Sequence, residues 1–318
     1  MLVLVTGGAG FVGNNVIAKL VEKNYQVRAV VRNLEKAEKR LGHFGDKIEI
    51  VQGDVTNRSV WADLMRGVDA VVHTVAISME KGGQTYEEVN YQGTINVIDA
   101  AVDANVKRFI NISQNGADSS LPYRFLASKG KAQEYVAMQE NLKWTAIRPS
   151  AIFGPQDEFF NTFARLVKLT PIVFPLIGGG KAQFQPVSIF DVAEATVRSI
   201  ENDETIHQEL EIGGPEVLTL KEIEQRVIKA LDTGRVMIPA PVFLLRPVVA
   251  IMENTLPGSP VSTSLLDLLA VPNTVPNNAL VDVFGMEPIP FKGQHIEYLN
   301  DNSVGQALNK FFTGAVVN

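Results

Sequence analysis

Short apolar runs recur along the chain at Leu2–Val5, Gln26–Val31, Ile48–Val51, Ala70–His73, Arg108–Ile112 and Thr145–Ile147, with helix-periodic segments between them. Runs that are apolar throughout, separated by amphipathic stretches, predict parallel strands covered on both faces by helices. The fold class expected is therefore α/β, a doubly wound parallel sheet. Thr6-Gly7-Gly8-Ala9-Gly10-Phe11-Val12-Gly13 follows the first run and leads into a helical pattern over Asn14–Leu20. Gly7, Gly10 and Gly13 have the spacing that lets backbone approach a pyrophosphate and aims helix N-terminal N–H groups at its charge. The second run, Gln26–Val31, arrives at the distance expected of a strand–helix–strand unit.

Beyond Pro155 the pattern changes. Phe159, Phe160, Phe163, Pro171, Pro175 and Gly178–Gly180 suggest a segment that covers a ligand. Gln185–Ile200 reads as a short strand and a helix opening near Asp191, and Glu209–Ile212 as another strand before Gly213-Gly214-Pro215. From Leu218 onward helices alternate with proline-rich connections. The expected organisation is a nucleotide-binding domain over residues 1–215, with an excursion near 155–183, and a smaller C-terminal region over 216–318.

Composition narrows the function. The net charge of −6, with no basic tract, argues against nucleic-acid binding, which needs basic surface to displace counterions. The chain has 0 cysteines, which removes disulfides, thiolate metal sites and a cysteine nucleophile. No His/Asp/Glu group has metal-ligand spacing, so no metal is expected. The N-terminal run lacks the charged region of a signal peptide and becomes the first strand. Val242–Met252 is apolar but holds Arg246 and Pro247 and is too short to span a bilayer. It is expected to pack over the cofactor domain or against a partner, with membrane-surface attachment as the lesser reading. The location expected is cytoplasmic, with peripheral contact to a membrane complex as the alternative.

Several side chains carry candidate chemistry. Asp54 closes the third strand, where a carboxylate can accept from an adenine amino group; as a favoured N-cap residue it could instead cap the segment Arg58–Met65. The second strand ends in Val31-Arg32-Asn33, without the acid that would hold a ribose 2′-hydroxyl. Arg32 offers a guanidinium suited to a 2′-phosphate, with Lys36 one turn onward, so NADP(H) is expected over NAD(H). His73 ends an apolar strand and reads as structural. Phe159, Phe160 and Phe163 fit core packing better than an acyl or isoprenoid pocket.

The glycine turn, Gly53-Asp54-Val55, VNYQGTINVIDAA at Val89–Ala101, SKGKAQE at Ser128–Glu134 and RPSAIFGP at Arg148–Pro155 resemble an extended or atypical short-chain dehydrogenase/reductase of the epimerase/dehydratase kind. NISQNGAD at Asn111–Asp118, the segment Phe174–Ala195 and EIGGPEVLTLKEI at Glu211–Ile223 are similar to the family of the NADPH-carrying accessory subunit of mitochondrial complex I and its bacterial relatives. The likeness covers most of the first 225 residues. It implies a dinucleotide along Thr6, Gly7, Gly10, Phe11, Val12, Gly13, Arg32, Asp54, Val55, Val75, Ala76, Lys129, Pro149, Ser150 and Ile152. It also implies a protein complex as partner.

The superfamily pairs a proton-donating tyrosine with a lysine four residues later, which binds the nicotinamide ribose. The matching lysine is Lys129, and Phe125 stands at the tyrosine position with no proton to give. Tyr123 is out of register on a helix. The serine that steadies the substrate oxygen is displaced, with Gln114 at or near its place and Ser113 just before. The resemblance therefore implies an NADP(H)-binding protein with a structural or regulatory cofactor, and as alternative an active NAD(P)H-dependent oxidoreductase or epimerase acting on a small carbonyl or quinone-like compound.

Overall fold

A computed structural model describes residues 1–256, 262–301 and 303–313. Seven parallel strands form the central sheet: β1 (Leu2–Thr6), β2 (Gln26–Val31), β3 (Ile48–Gln52), β4 (Ala70–His73), β5 (Arg108–Ile112), β6 (Lys143–Pro149) and an edge strand, Gln208–Ile212. Their spatial order is 3-2-1-4-5-6-edge. Because β1 pairs with β2 on one side and β4 on the other, the strand order reverses there. A crevice at such a reversal is where open α/β sheets bind ligands. Every apolar run read from the sequence lies in a strand: β2, β4 and β5 have the expected ends, and β1, β3 and β6 extend one or two residues further.

The chain forms two compact units, the first of Met1–Pro149, Ile189–Ile212 and Asn277–Met286, the second of Ser150–Ser188, Gly213–Pro276 and Glu287–Asn318. The chain leaves the sheet unit after β6 and returns to it at the helix Ile189–Glu201 and again at Asn277–Met286, where the sequence reading puts an excursion near 155–183 and a boundary at residue 215. In the first unit Leu4, Val71, Ile98, Phe109, Val136 and Trp61 form a core between sheet and helices.

The second unit centres on Phe153, Phe160, Phe163, Phe174, Phe184 and Phe291. Phe159 completes the cluster, its ring 4.9 Å from Phe160, 5.0 Å from Phe163 and 5.4 Å from Phe184. These aromatics are core, as the helical spacing suggested. Val173–Ile177 and Val236–Ala240 pair as a separate parallel two-stranded sheet.

Candidate functional site

β1 enters the glycine turn with Gly7 at φ +65°, a left-handed conformation in which a side chain would be strained. The Gly10 amide donates to the Gly7 carbonyl at 2.8 Å, closing the turn ahead of α1 (Phe11–Glu22). A Cβ on Gly13 would stand 2.3 Å from the Gly7 oxygen, so the helix lies directly against the turn. No side chain caps α1 and no acid occupies its first turn. The N–H groups of Phe11, Val12 and Gly13 thus form an uncontested positive end for a phosphate. Arg40, on α2 (Leu34–Leu41), braces the turn by donating to the Ala9 carbonyl at 2.7 Å.

At the end of β2, Arg32 is exposed, and its guanidinium has no hydrogen bond or ion pair among the described residues. Its backbone carbonyl is held by Gln52 Nε2 at 3.2 Å. Asn33 caps α2 by accepting from the Lys36 amide, which leaves Lys36 exposed one turn on. Asp54 uses one oxygen, Oδ1, to accept from the Thr56 amide and hydroxyl, both at 2.9 Å. It therefore caps no helix: Asn57 caps the 3-10 turn Arg58–Val60. Val55 is buried, its side chain against Gly93, and its carbonyl accepts from Asn96 at 2.8 Å.

A buried polar chain runs across the strand ends. The hydroxyl of fully buried Thr6 meets His73 Nδ1 at 2.9 Å, His73 Nε2 meets Thr94 at 3.1 Å, and Thr94 donates to the Asn90 carbonyl at 2.7 Å. Asn90 accepts from the Ile77 amide at 2.8 Å and donates to Ser128 Oγ at 3.1 Å. That fixes the segment through Val75 and Ala76, with Val75 beside Gly7. Burial, reinforced by the nearby charge of Lys129, lowers the His73 pKa to about 3. His73 is neutral at neutral pH and structural. Thr6 and His73 hold the strand ends in place.

Lys129 lies on the helix Arg124–Ala137 and donates to the Ile112 carbonyl at 2.8 Å. Burial lowers its pKa to about 8. Four residues earlier Phe125 is buried on the same helix, its ring edge-on to Tyr86 at 5.6 Å. Tyr123 is the extended N-cap residue and so lies outside the helix. Ser113 is buried and its Oγ has no partner among the described residues, whereas Gln114 is half-buried. The Asn115 amide donates to the carbonyl of Pro149 at 3.0 Å, tying the loop after β5 to the end of β6. Ser150 and Ile152 belong to the second unit: Ser150 Oγ bonds Asn273 Oδ1 at 2.9 Å and Ile152 pairs with Val187.

The loop after β5 is clamped to the lysine-bearing helix at Gly130. A Cβ there would stand 2.2 Å from the Ser119 nitrogen and 2.7 Å from Asp118 Cα. Backbone cannot give way as a flexible side chain would, so Gly130→Ala is expected to cost about 3 kcal/mol, the upper end of overpacking penalties. Urea unfolding checks this; an unchanged midpoint would show that the loop is free to move. Gly130 and Asn90 fall inside the sequence motifs, where no role attaches to either. Arg40 stands outside every motif. Their signal is a contact between distant segments.

A doubly wound sheet, a glycine cradle at its reversal and a buried lysine beneath β5 define an atypical short-chain dehydrogenase/reductase. A model of the NAD(P)H-binding family matches residues 7–203, and the chain belongs to that family. Among its relatives is the mitochondrial NADH dehydrogenase [ubiquinone] 1 alpha subcomplex subunit 9 of Arabidopsis thaliana, 27% identical over 310 residues, covering 93% of this chain and 76% of the relative. A 3 beta-hydroxysteroid dehydrogenase/Delta 5-->4-isomerase of Mycobacterium tuberculosis is 34% identical over 183 residues, and the match spans 49% of this chain and 48% of that protein. Pal from Bacillus thuringiensis shares the fold with a TM-score of 0.73 at 16% identity, over 94% of this chain and 98% of that one. The UDP-glucose 4-epimerase of Thermus thermophilus, solved with NAD, gives a TM-score of 0.65 at 22% identity, over 76% of this chain and 86% of that one.

Proposed function

We propose that the chain binds NADP(H) in its first unit as a structural or regulatory cofactor, and that it serves a respiratory complex as a peripheral component. The observation that carries this reading is the pair Lys129 and Phe125, four residues apart on one helix, a ribose-binding cation without the proton donor that should accompany it. The residues fit the cofactor. The α1 amides receive its pyrophosphate, the free oxygen of Asp54 accepts from adenine, and Lys129 holds the nicotinamide ribose. The cofactor would supply a hydride; no residue at position 125 supplies the matching proton. The likeness to a complex I subunit over 93% of the chain supports the assignment to a complex.

Arg32 sets the preference for the 2′-phosphate, because its guanidinium is free and no acid shares its strand end. Arg32→Ala is expected to weaken NADPH by roughly ten- to a hundredfold, from about 1.5–3 kcal/mol per charge-assisted bond, while leaving NADH unchanged. Calorimetric titration of both nucleotides tests it. Equal affinity of the unaltered protein for NADH and NADPH would remove Arg32 from the site.

A second reading, an active oxidoreductase or epimerase on a small carbonyl, is favoured by one feature. The buried Ser113 hydroxyl has no partner among the described residues, and an unpaired buried hydroxyl is destabilising unless something binds it. Oxidation of NADPH across carbonyl compounds and quinones separates the two readings.

A further inference from the structure

Between β4 and the helical stretch Glu87–Gln92, residues 78–86 close on themselves as a strap. The Tyr86 hydroxyl donates to the Ser78 carbonyl at 2.9 Å, the Tyr86 amide donates to Glu80 Oε1 at 2.9 Å, and Lys81 and Gln84 form an antiparallel bridge. Gly82 and Gly83 turn the tip at φ +60° and +82°, with open space where a Cβ would stand. The base is held firmly, because Asn90 accepts from the Ile77 amide at 2.8 Å and donates to the Ile77 carbonyl at 3.1 Å. Beyond that base the support is thin. None of residues 78–85 is buried, and a segment without buried apolar contacts opens at little cost.

A charged contact fastens the strap to the helix of Phe125 and Lys129. Arg124 opens that helix and grips Glu80 with both terminal nitrogens, Nη1 to Oε2 at 2.7 Å and Nη2 to Oε1 at 2.9 Å. A forked pair fixes direction as well as distance. Arg124 Cζ also lies 6.0 Å from the centre of the Tyr86 ring, which is itself edge-on to Phe125. With Glu80 23% and Arg124 73% exposed, the pair is open to water and salt, strong enough to hold a loop without a core and weak enough to part. The strap begins just after Val75 and Ala76 and ends where Tyr86 meets Phe125. It therefore joins the two segments that the dinucleotide reading sets on either side of the nicotinamide end.

We propose that the Glu80–Arg124 pair is a latch that regulates the cofactor site: when it parts, residues 78–86 swing away and the dinucleotide enters or leaves. The inference rests on the dinucleotide reading of the site and adds how exchange at that site is controlled. A latch that closes equally in the free and the bound protein slows association and dissociation together and leaves affinity nearly alone. A side chain that touches the ligand changes dissociation instead.

Stopped-flow binding of NADPH to the full chain, unaltered and as Arg124→Ala and Glu80→Gln, reads both rates, and hydrogen exchange over residues 78–86 without nucleotide reads the strap by itself. Glutamine keeps an oxygen for the Tyr86 amide and Arg124 is exposed, so unchanged melting temperatures verify the fold of both variants. Exchange is expected to quicken about fivefold in each variant, and likewise in the unaltered protein at about 1 M salt, where the screening length is about 3 Å. Association and dissociation of NADPH are expected to quicken together by a similar factor, with affinity changed by less than about twofold. Unchanged exchange overturns the latch whatever the nucleotide does. Faster dissociation with unaltered association overturns it as well, since Arg124 would then be a ligand contact. No NADPH binding at all strikes the cofactor reading and the regulation built on it, a failure told apart from the latch's own by quickened exchange.

Discussion

Glu224→Met is expected to raise the melting temperature, by an amount that grows with pH. Glu224 sits on the helix Leu220–Ala230, fully buried, with neither carboxylate oxygen partnered among the described residues. Burial raises its pKa from 4.5 to about 8, so the folded protein keeps a proton that the unfolded chain releases. The sign follows. Stability is greatest below the unfolded pKa, falls by about 1.4 kcal/mol per pH unit above it, and levels off once pH passes the folded pKa. Methionine fills a similar volume with no charge to desolvate. The gain should be the few kcal/mol of an unpaired buried acid near pH 5 and grow from there by about 1.4 kcal/mol per pH unit up to about pH 8. Asp157 contributes a slope of the same sign, since burial raises its pKa to about 6. It is present in both proteins and cancels in the difference. Chemical unfolding across pH measures the result, and parallel curves for the two proteins would show that Glu224 is ionised in the fold.

Phe125→Tyr is the second large effect. It places a phenol four residues before Lys129 on the same helix, and the cation favours the phenolate. A positioned general acid is worth typically about 10²–10⁴ in rate, so NADPH-dependent reduction of a carbonyl that the protein binds should rise by up to that range. Nucleotide affinity should change little. A new ionisation should appear in the pH–rate profile, distinct from any that Lys129, with its pKa lowered to about 8, already produces. An unaltered protein that reduces the same compound at ordinary reductase rates, indifferent to this substitution, would mean that another group supplies the proton.

The strands and the nucleotide turn are legible in the sequence because their signals are local. An apolar run of strand length, a glycine where φ is positive and a missing acid after Val31 are properties of consecutive residues. Phe125 and Lys129 are legible for the same reason, as a helix fixes how residues four apart face each other. His73 reads as structural from its place in an apolar strand, but its partners Thr6 and Thr94 lie in other segments. Neither Arg40 at the Ala9 carbonyl nor Gly130 against Ser119 has a local signature, and each contact exists only once the chain is folded.

By itself, then, the sequence determined the doubly wound sheet, the glycine turn at its reversal and the placing of Phe125 and Lys129 four residues apart on one helix, since periodicity and backbone chemistry act over a few residues. Tertiary structure decided the rest. Glu224 reads as an ordinary helix carboxylate until its neighbours close over it. Val242–Met252 is apolar apart from Arg246, so its pattern cannot say which face is buried. The pairing of Arg246 with Asp267 and of Glu253 with Thr263 ties one side of the helix to the protein, with Val249 buried there and Phe243, Leu244, Val248 and Ile251 exposed.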